Sequence, residues 1–125
     1  MAKSKTDLLK GTLDLLILKT LASGNMHGYA IARMIEQQTD DVLRIEEGSL
    51  YPALFRMDRR GLIKSRWGLT ETKRRAKFYE LTKKGRKQFE TEESNWQRFA
   101  AAVGQVLGGE QDIPDTSEAG RVVGD

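Results

Sequence analysis

Apolar residues in the first half of the chain recur at the three- and four-residue spacing of amphipathic helices. The pattern predicts three helices, over about residues 7–22, 27–38 and 48–60, and either a small strand or an extended linker over 42–45. The third helix carries Pro52 in its first turn, where no backbone N–H is required. Its apolar residues, spaced at i, i+4 and i+7, are expected to face inward: Leu50, Leu54 and Met57.

The second half of the chain changes to two strand-like segments and then to one long helix. The segments 62–67 and 75–81 are separated by a polar connector, 68–74, that is basic at its end, which predicts a β-hairpin with a charged tip. Thr82 is a candidate N-cap for a last helix that extends to about residue 107 and is followed by two glycines.

The order of three helices, a hairpin and a long helix is typical of a winged helix domain with an added helix. The expected fold class is therefore mainly α with a small β-hairpin, comprising a winged helix-turn-helix domain over residues 1–81 and a C-terminal dimerisation helix over 82–107. Residues 108–125 are polar and acidic and are expected to form a disordered tail. In winged helix domains the third helix enters the major groove of DNA.

The formal net charge of +3 conceals an uneven distribution. Residues 108–125 carry five acids and one base, whereas thirteen Lys and Arg between positions 56 and 87 face three acids. A positive field as concentrated as this attracts polyanions. A merely solvated surface is the alternative, but the charges coincide with the predicted third helix and hairpin, which favours a nucleic-acid partner.

Composition excludes several kinds of chemistry. The chain has no cysteine, so disulfides, thiolate metal sites and a cysteine nucleophile are excluded. The single histidine, His27, has no nearby carboxylate pair or nucleophile pattern, and we expect it to start or cap the second helix. No apolar run approaches the roughly 18 residues of a membrane span. We therefore expect a cytoplasmic protein that is not an enzyme and that uses no metal or cofactor.

The exposed face of the third helix is the first candidate site. Ser49, Tyr51, Pro52 and Arg56 occupy its N-terminal end, from which side chains reach base edges and where the helix dipole favours phosphate. Ser and Tyr can hydrogen-bond phosphates, and Arg56 can read guanine or pair with phosphate. The alternative is that Tyr51 and Phe55 are core residues and that the arginines only solubilise the chain.

The hairpin is the second candidate site. Lys73, Arg74, Arg75 and Lys77 cluster at its tip and second strand. Such a basic tip can lie along a minor groove or the phosphate backbone, in contacts that are electrostatic and carry little sequence information. A charged, solvated loop is the alternative.

Apolar residues on the last helix form a candidate dimer seam. Phe89, Trp96 and Val103 are spaced by seven, as are Phe99 and Val106, which is the pattern of a coiled coil, although an acid interrupts it once. A small domain buries such a seam less easily than a second copy of the chain does, so we interpret the helix as a dimerisation element. The alternative is that it packs against its own domain.

Four motifs occur along the chain: His27-Gly28-Tyr29, the segment Glu47-Gly48-Ser49-Leu50-Tyr51-Pro52-Ala53-Leu54, Arg60-Gly61-Leu62-Ile63, and Phe78-Tyr79-Glu80-Leu81-Thr82 followed by Gly85. With these spacings, the sequence resembles the PadR family of bacterial transcriptional regulators over about residues 8–107. The single C-terminal helix resembles the family's short subfamily, in which one long helix swaps across the dimer.

The resemblance implies a homodimeric winged helix repressor that binds inverted-repeat operators in double-stranded DNA. The DNA-binding residues of the family correspond to Tyr29, Ser49, Tyr51, Pro52, Arg74, Arg75 and Lys77. In some short members a Trp of the last helix stacks on flat aromatic compounds, and Trp96 stands at the corresponding place, so a small aromatic effector is a candidate ligand. The family's wing usually has glycine near its tip, where this chain has Lys73-Arg74-Arg75.

Two alternatives from other functional classes remain. A small-molecule-binding protein without DNA binding would keep the seam around Trp96 and would not require the basic wing. A protein–protein adaptor could use the same winged fold without nucleic acid, because a fold does not determine function.

Overall fold

Four helices and three short strands follow one another within residues 5–108, the part of the chain that the computed structural model describes, with side chains from residue 12 onward. In chain order they are α1 (Lys5–Ala22), β1 (Met26–His27), α2 (Gly28–Gln38), α3 (Glu47–Arg59), β2 (Ile63–Leu69), β3 (Arg75–Leu81) and α4 (Lys83–Val106). This order confirms the mainly helical fold with a hairpin that the sequence predicts. From residue 109 onward, the predicted acidic tail lies outside the described residues.

Side chains from α1, α2, α3 and the sheet form one hydrophobic core. Leu50, Leu54 and Met57 of α3 are at most 1% exposed, so their predicted inward orientation is confirmed. The stripe on α1 follows the same helical spacing. The largest fully buried side chains outside α3 are Leu13, Ile17, Leu18, Leu21, Ile31, Leu62 and Ile63. This core fixes α3 with its opposite face toward solvent.

Capping side chains set the beginnings of two helices. The Nδ1 of His27 accepts a hydrogen bond from the backbone N–H of Ala30 (3.4 Å), and Oγ1 of Thr82 accepts one from the backbone N–H of Gly85 (3.0 Å). Both residues therefore cap their helices, as the sequence predicts. α3 begins one residue earlier than predicted.

The three strands form an antiparallel sheet in the order β1-β3-β2. The pair β2–β3 is the predicted hairpin, and β2 extends two residues further than predicted, to residue 69. β1 was not predicted, because two residues are too few to show a strand period. Met26 pairs with Tyr79 and His27 with Phe78, so β1 ties the start of α2 to the hairpin.

The stretch 42–45 is a linker and contains no strand. A buried carboxylate oxygen of Glu36 accepts a hydrogen bond from the backbone N–H of Ile45 (2.9 Å), and the hydroxyl of Thr39 accepts one from that of Leu43 (3.1 Å). Side chains of α2 thus satisfy the linker's backbone donors, which removes the need for a partner strand.

The chain divides into two compact units within α4, between Glu90 and Thr91. The first unit contains α1 to α3, the sheet and the first two turns of α4, and the second contains the rest of α4. Among the described residues, no helix is long and apolar enough to cross a membrane.

Candidate nucleic-acid interface

The exposed face of α3 is centred on Pro52, Phe55 and Arg59, which are separated by three and four residues and lie opposite the buried stripe. The Phe55 ring is 62% exposed, and the Arg59 guanidinium carbon lies 5.7 Å from its centre. Phe55 is therefore not a core residue, which excludes one alternative left open by the sequence. Phe55 and Arg59 were absent from the predicted DNA-binding residues, although their helical spacing from Pro52 had placed them on the exposed face of the predicted helix.

Tyr51 lies at the edge of this face nearest the hairpin. Its ring is 43% exposed and lies against Gly28, where a Cβ would stand only 2.8 Å from Cε1 of the ring. Burial, and secondarily the charge of Glu47, raises the pKa of Tyr51 above its ordinary value of 10.0. The hydroxyl therefore stays protonated at neutral pH and can donate a hydrogen bond to a phosphate oxygen.

Arg56 lies at the other edge of α3, beside α1. Its Nη2 is 3.5 Å from Oδ1 of Asp14, and its side chain remains 44% exposed. Arg56 is accessible, but an acid of the same chain neutralises part of its charge. Ser49, two helical turns earlier on the same edge of the helix, is half-buried.

An open groove separates α2 and α3 from the hairpin. Phe55 and Trp67 line this groove. Its wall also contains five of the eight predicted DNA-binding residues: Tyr29, Tyr51, Arg74, Arg75 and Lys77. Residues that are distant in sequence are thus brought to one surface. Pro52, Ser49 and Arg56 lie outside the groove, on the remaining part of the α3 surface.

Tyr29 is held at the helical side of this groove by other rings. Its ring lies parallel to that of His27, with 6.5 Å between the ring centres, and His27 contacts the edge of Phe78 at 5.4 Å. Tyr29 is nevertheless largely exposed. Tyr29 thus lies beside these rings and stays accessible to a partner.

The sheet face that packs on the core near Ile63 and Tyr79 continues along the hairpin to positions that are exposed to solvent. Trp67 is paired with Lys77 in the strand register, and direct partners in an antiparallel pair share a face. Arg75 lies 4.6 Å and Lys77 5.8 Å from the centre of the exposed Trp67 ring. The two cations are therefore stacked on an indole at the groove. Trp67 was not among the predicted site residues, although its position opposite Lys77 follows from the strand register.

Hydrogen bonds within the tip fix its conformation. The backbone N–H of Thr70 donates to the carbonyl of Arg74 (2.9 Å), and that of Lys73 donates to the carbonyl of Thr70 (2.9 Å). Lys73 has a φ of +67°, the left-handed conformation that glycine adopts most easily. Lys73 therefore adopts a backbone conformation that favours glycine, and the basic tip is formed without a glycine at this position.

The predicted seam on α4 is divided between the two units. Phe89 is half-buried and packs against the core of the first unit, with Nζ of Lys19 5.8 Å from its ring centre. For Phe89, the alternative that the last helix packs against its own domain is therefore the one observed. In the second unit the remaining seam residues are exposed: Trp96, Phe99, Val103 and Val106. The ring centres of Trp96 and Phe99 lie 6.0 Å apart.

Comparisons with known proteins agree with this architecture. The model of the transcriptional regulator PadR-like family matches residues 17–91. The chain is similar to the structure of a transcriptional regulator from Clostridium thermocellum, with 33% identity, 79% of this chain and 96% of that chain covered, and a TM-score of 0.72. It is also similar to a PadR-like transcriptional regulator from Bacillus cereus, with 28% identity, coverage of 82% and 98%, and a TM-score of 0.71.

A third similarity is to an uncharacterized 37.1 kDa protein in a transposon of Streptomyces fradiae, 37% identical over 90 residues. The match covers 72% of this chain but 24% of that protein. The family model covers more than half of the chain, and the solved structures share its winged helix architecture over nearly their whole length. The chain therefore belongs to the transcriptional regulator PadR-like family and is a DNA-binding regulator of transcription, not an enzyme.

Proposed function

We propose that the protein is a repressor that binds inverted-repeat operators as a homodimer. The observation that carries the proposal is the common surface formed by the exposed face of α3 and the basic side of the hairpin. A B-DNA major groove of about 12 Å admits one helix, and a hairpin beside that helix then meets the flanking backbone.

In this arrangement α3 reads the major groove of each half-site. Pro52, Phe55 and Arg59 would face the base edges, because they are central on the exposed face. Tyr51 and Tyr29 would donate to phosphate oxygens along the groove between helix and hairpin. The apolar ring of Phe55 can contact the methyl group of thymine, whereas Arg59 can hydrogen-bond guanine.

The hairpin supplies contacts to the backbone. Arg74, Arg75 and Lys77 present three positive charges on one side of β3 and its tip. Phosphate contacts of this kind fix the orientation of a protein on the duplex and add affinity that depends strongly on salt.

The dimer would form through the second unit. Trp96, Phe99 and Val103 leave apolar surface exposed on one helix, and a second copy would cover it as in a coiled coil. A flat aromatic effector that stacks on Trp96 would release DNA if it bound one arrangement of the dimer better than the other. Replacing Trp96 and Phe99 with Ala should give monomers at micromolar concentration in sedimentation. Val42→Ser, at an exposed apolar site outside α4, should leave the dimer intact.

The salt dependence of DNA binding tests the proposal. A duplex selected by the full-length protein from a random library is labelled, and its affinity is measured over a series of salt concentrations. Neutralising about 8 phosphates per dimer predicts a slope of log K against log salt near −7. Arg75→Ala should make the slope smaller in magnitude, whereas Lys64→Ala, on the opposite face of the hairpin, should not. A flat response would favour the adaptor or the small-molecule-binding alternative.

A further inference from the structure

We propose that Trp67 is a positioning residue for DNA binding, whose indole holds Arg75 and Lys77 on the groove side of the hairpin so that the two cations bind the backbone as a unit. The inference rests on the proposed DNA-binding function. It assigns a role to a residue that is not among those packed against the hydrophobic core.

The strand register places these three residues together. Lys77 is the direct partner of Trp67 across the hairpin, and Arg75 is the partner of Leu69, two residues further along the same face. Direct and diagonal neighbours in an antiparallel pair are within reach of an aromatic side chain. Both cations lie within the roughly 6 Å at which cation–π attraction acts, at 4.6 Å and 5.8 Å from the ring centre.

Packing of the domain does not account for a tryptophan at this position. The Trp67 side chain is 57% exposed, whereas the residues of the same sheet face nearer the core, Ile63 and Tyr79, are buried. The indole instead lies beside two cations of β3, the guanidinium of Arg75 and the ammonium of Lys77. Its negative π-face therefore offsets the repulsion between two neighbouring positive side chains.

Such a stack improves binding by ordering the cations in advance. Free Arg and Lys side chains have many rotamers, and binding a phosphate requires that most be given up. When Trp67 already restricts Arg75 and Lys77, part of that entropy is lost on folding and not on binding. The stack also keeps both charges on the groove side, where the backbone of a bound duplex would run.

The binding test uses Trp67→Leu in the full chain with the selected duplex. The affinity of the dimer should fall about tenfold, because the cations of both wings must then be ordered during binding. The salt slope should also decrease in magnitude although no charge has been removed, because the cations then contact phosphate less often. Trp67→Phe, which keeps a ring, should recover most of both losses.

A double-mutant cycle separates positioning from a direct contact. In a chain that already carries Arg75→Ala and Lys77→Ala, Trp67→Leu should cause no further loss of affinity. Losses that add independently, or wild-type affinity in Trp67→Leu, would overturn the inference. Thermal unfolding checks that the variants fold, and an exposed side chain predicts little change in Tm.

A measurement without DNA distinguishes this inference from the proposed function. In a chain with Trp96→Phe, Trp67 is the remaining tryptophan and reports on its own surroundings. Removing the cations of Arg75 and Lys77 should raise the quenching of its fluorescence by neutral acrylamide, because the ring loses its cover. Unchanged quenching would overturn the stack even if DNA binding is confirmed. Higher quenching in a protein that binds no duplex would instead contradict the proposed function.

Discussion

The ring of Tyr51 lies so close to Gly28 that any Cβ at this position would stand 2.8 Å from Cε1 and 3.0 Å from the hydroxyl oxygen. The contact joins the first residue of α2 to the first turns of α3. Glycine at position 28 is thus what allows Tyr51 to lie in the groove, half-exposed, between helix and hairpin.

Gly28→Ala should weaken DNA binding while leaving the fold stable. The methyl group displaces the Tyr51 ring, whose far end is free to move toward solvent, and alanine favours the helix. We expect a loss of affinity of about tenfold or more, the size of losing a hydrogen bond to a charged phosphate, with a nearly unchanged Tm. If the effect acts through the ring, Gly28→Ala should add nothing to Tyr51→Ala. Independent losses would contradict this reading.

Gly85 marks the place where α4 lies against Leu62, the residue directly before β2. A Cβ there would collide with the backbone carbonyl of Leu62, which cannot move without disturbing the core. Gly85→Ala should therefore lower the free energy of unfolding by about 2–3 kcal/mol in denaturant titrations. The matched control is Gly104→Ala in the same helix, where a Cβ meets nothing within 4 Å, and where alanine should raise stability by up to about 1 kcal/mol. Equal effects would contradict the close packing at Gly85.

Lys73 holds a left-handed backbone conformation at the tip of the hairpin, with a φ of +67°. A side chain in this region costs about 1 kcal/mol, so Lys73→Gly should raise the free energy of unfolding by up to that amount. Thr72→Gly, at the preceding residue, should instead lower it, because glycine there adds freedom to the unfolded chain and removes a hydroxyl that lies 3.1 Å from that of Thr70. A destabilised Lys73→Gly would show that the tip has another conformation in solution.

Alkaline pH should destabilise the fold through Tyr79. Burial, followed by Tyr51 and Asp58, raises the pKa of the Tyr79 hydroxyl above its ordinary 10.0. A raised pKa means that the folded state prefers the neutral phenol, so the stability is complete below the unfolded-state pKa and is lost as pH rises through the folded one. The free energy of unfolding should fall above about pH 10, and less steeply in Tyr79→Phe, which keeps the ring. Equal pH profiles for the two proteins would rule out this assignment.

Helices and the hairpin were predictable because their patterns are local. Leu50, Leu54 and Met57 define the inner face of α3 by spacing alone, and Thr82 is recognisable as a cap from its place before a helical segment. The two-residue strand β1 was not predictable, because it is extended only through its pairing with β3, which is distant in sequence.

The groove depended on tertiary relationships that a sequence pattern does not contain. Trp67 and Arg75 are eight residues apart along the chain and become neighbours through the register of the hairpin, which the sequence pattern alone does not set. Arg56 looked free on the helix, but Asp14 of α1 lies beside it. Phe89 fitted the seam by its spacing of seven, yet it packs against its own domain's core.

In the proposed dimer, two copies of α3 enter successive major grooves on one side of the duplex, with half-site centres about 34 Å apart. The most direct measurement is the affinity of the full-length protein for its selected operator with 5 base pairs inserted between the half-sites, roughly half a helical turn. Rotating one half-site to the far side prevents simultaneous binding, so we predict a loss of about 100-fold or more. An affinity equal to that for the uninterrupted operator would contradict this arrangement of the two helices.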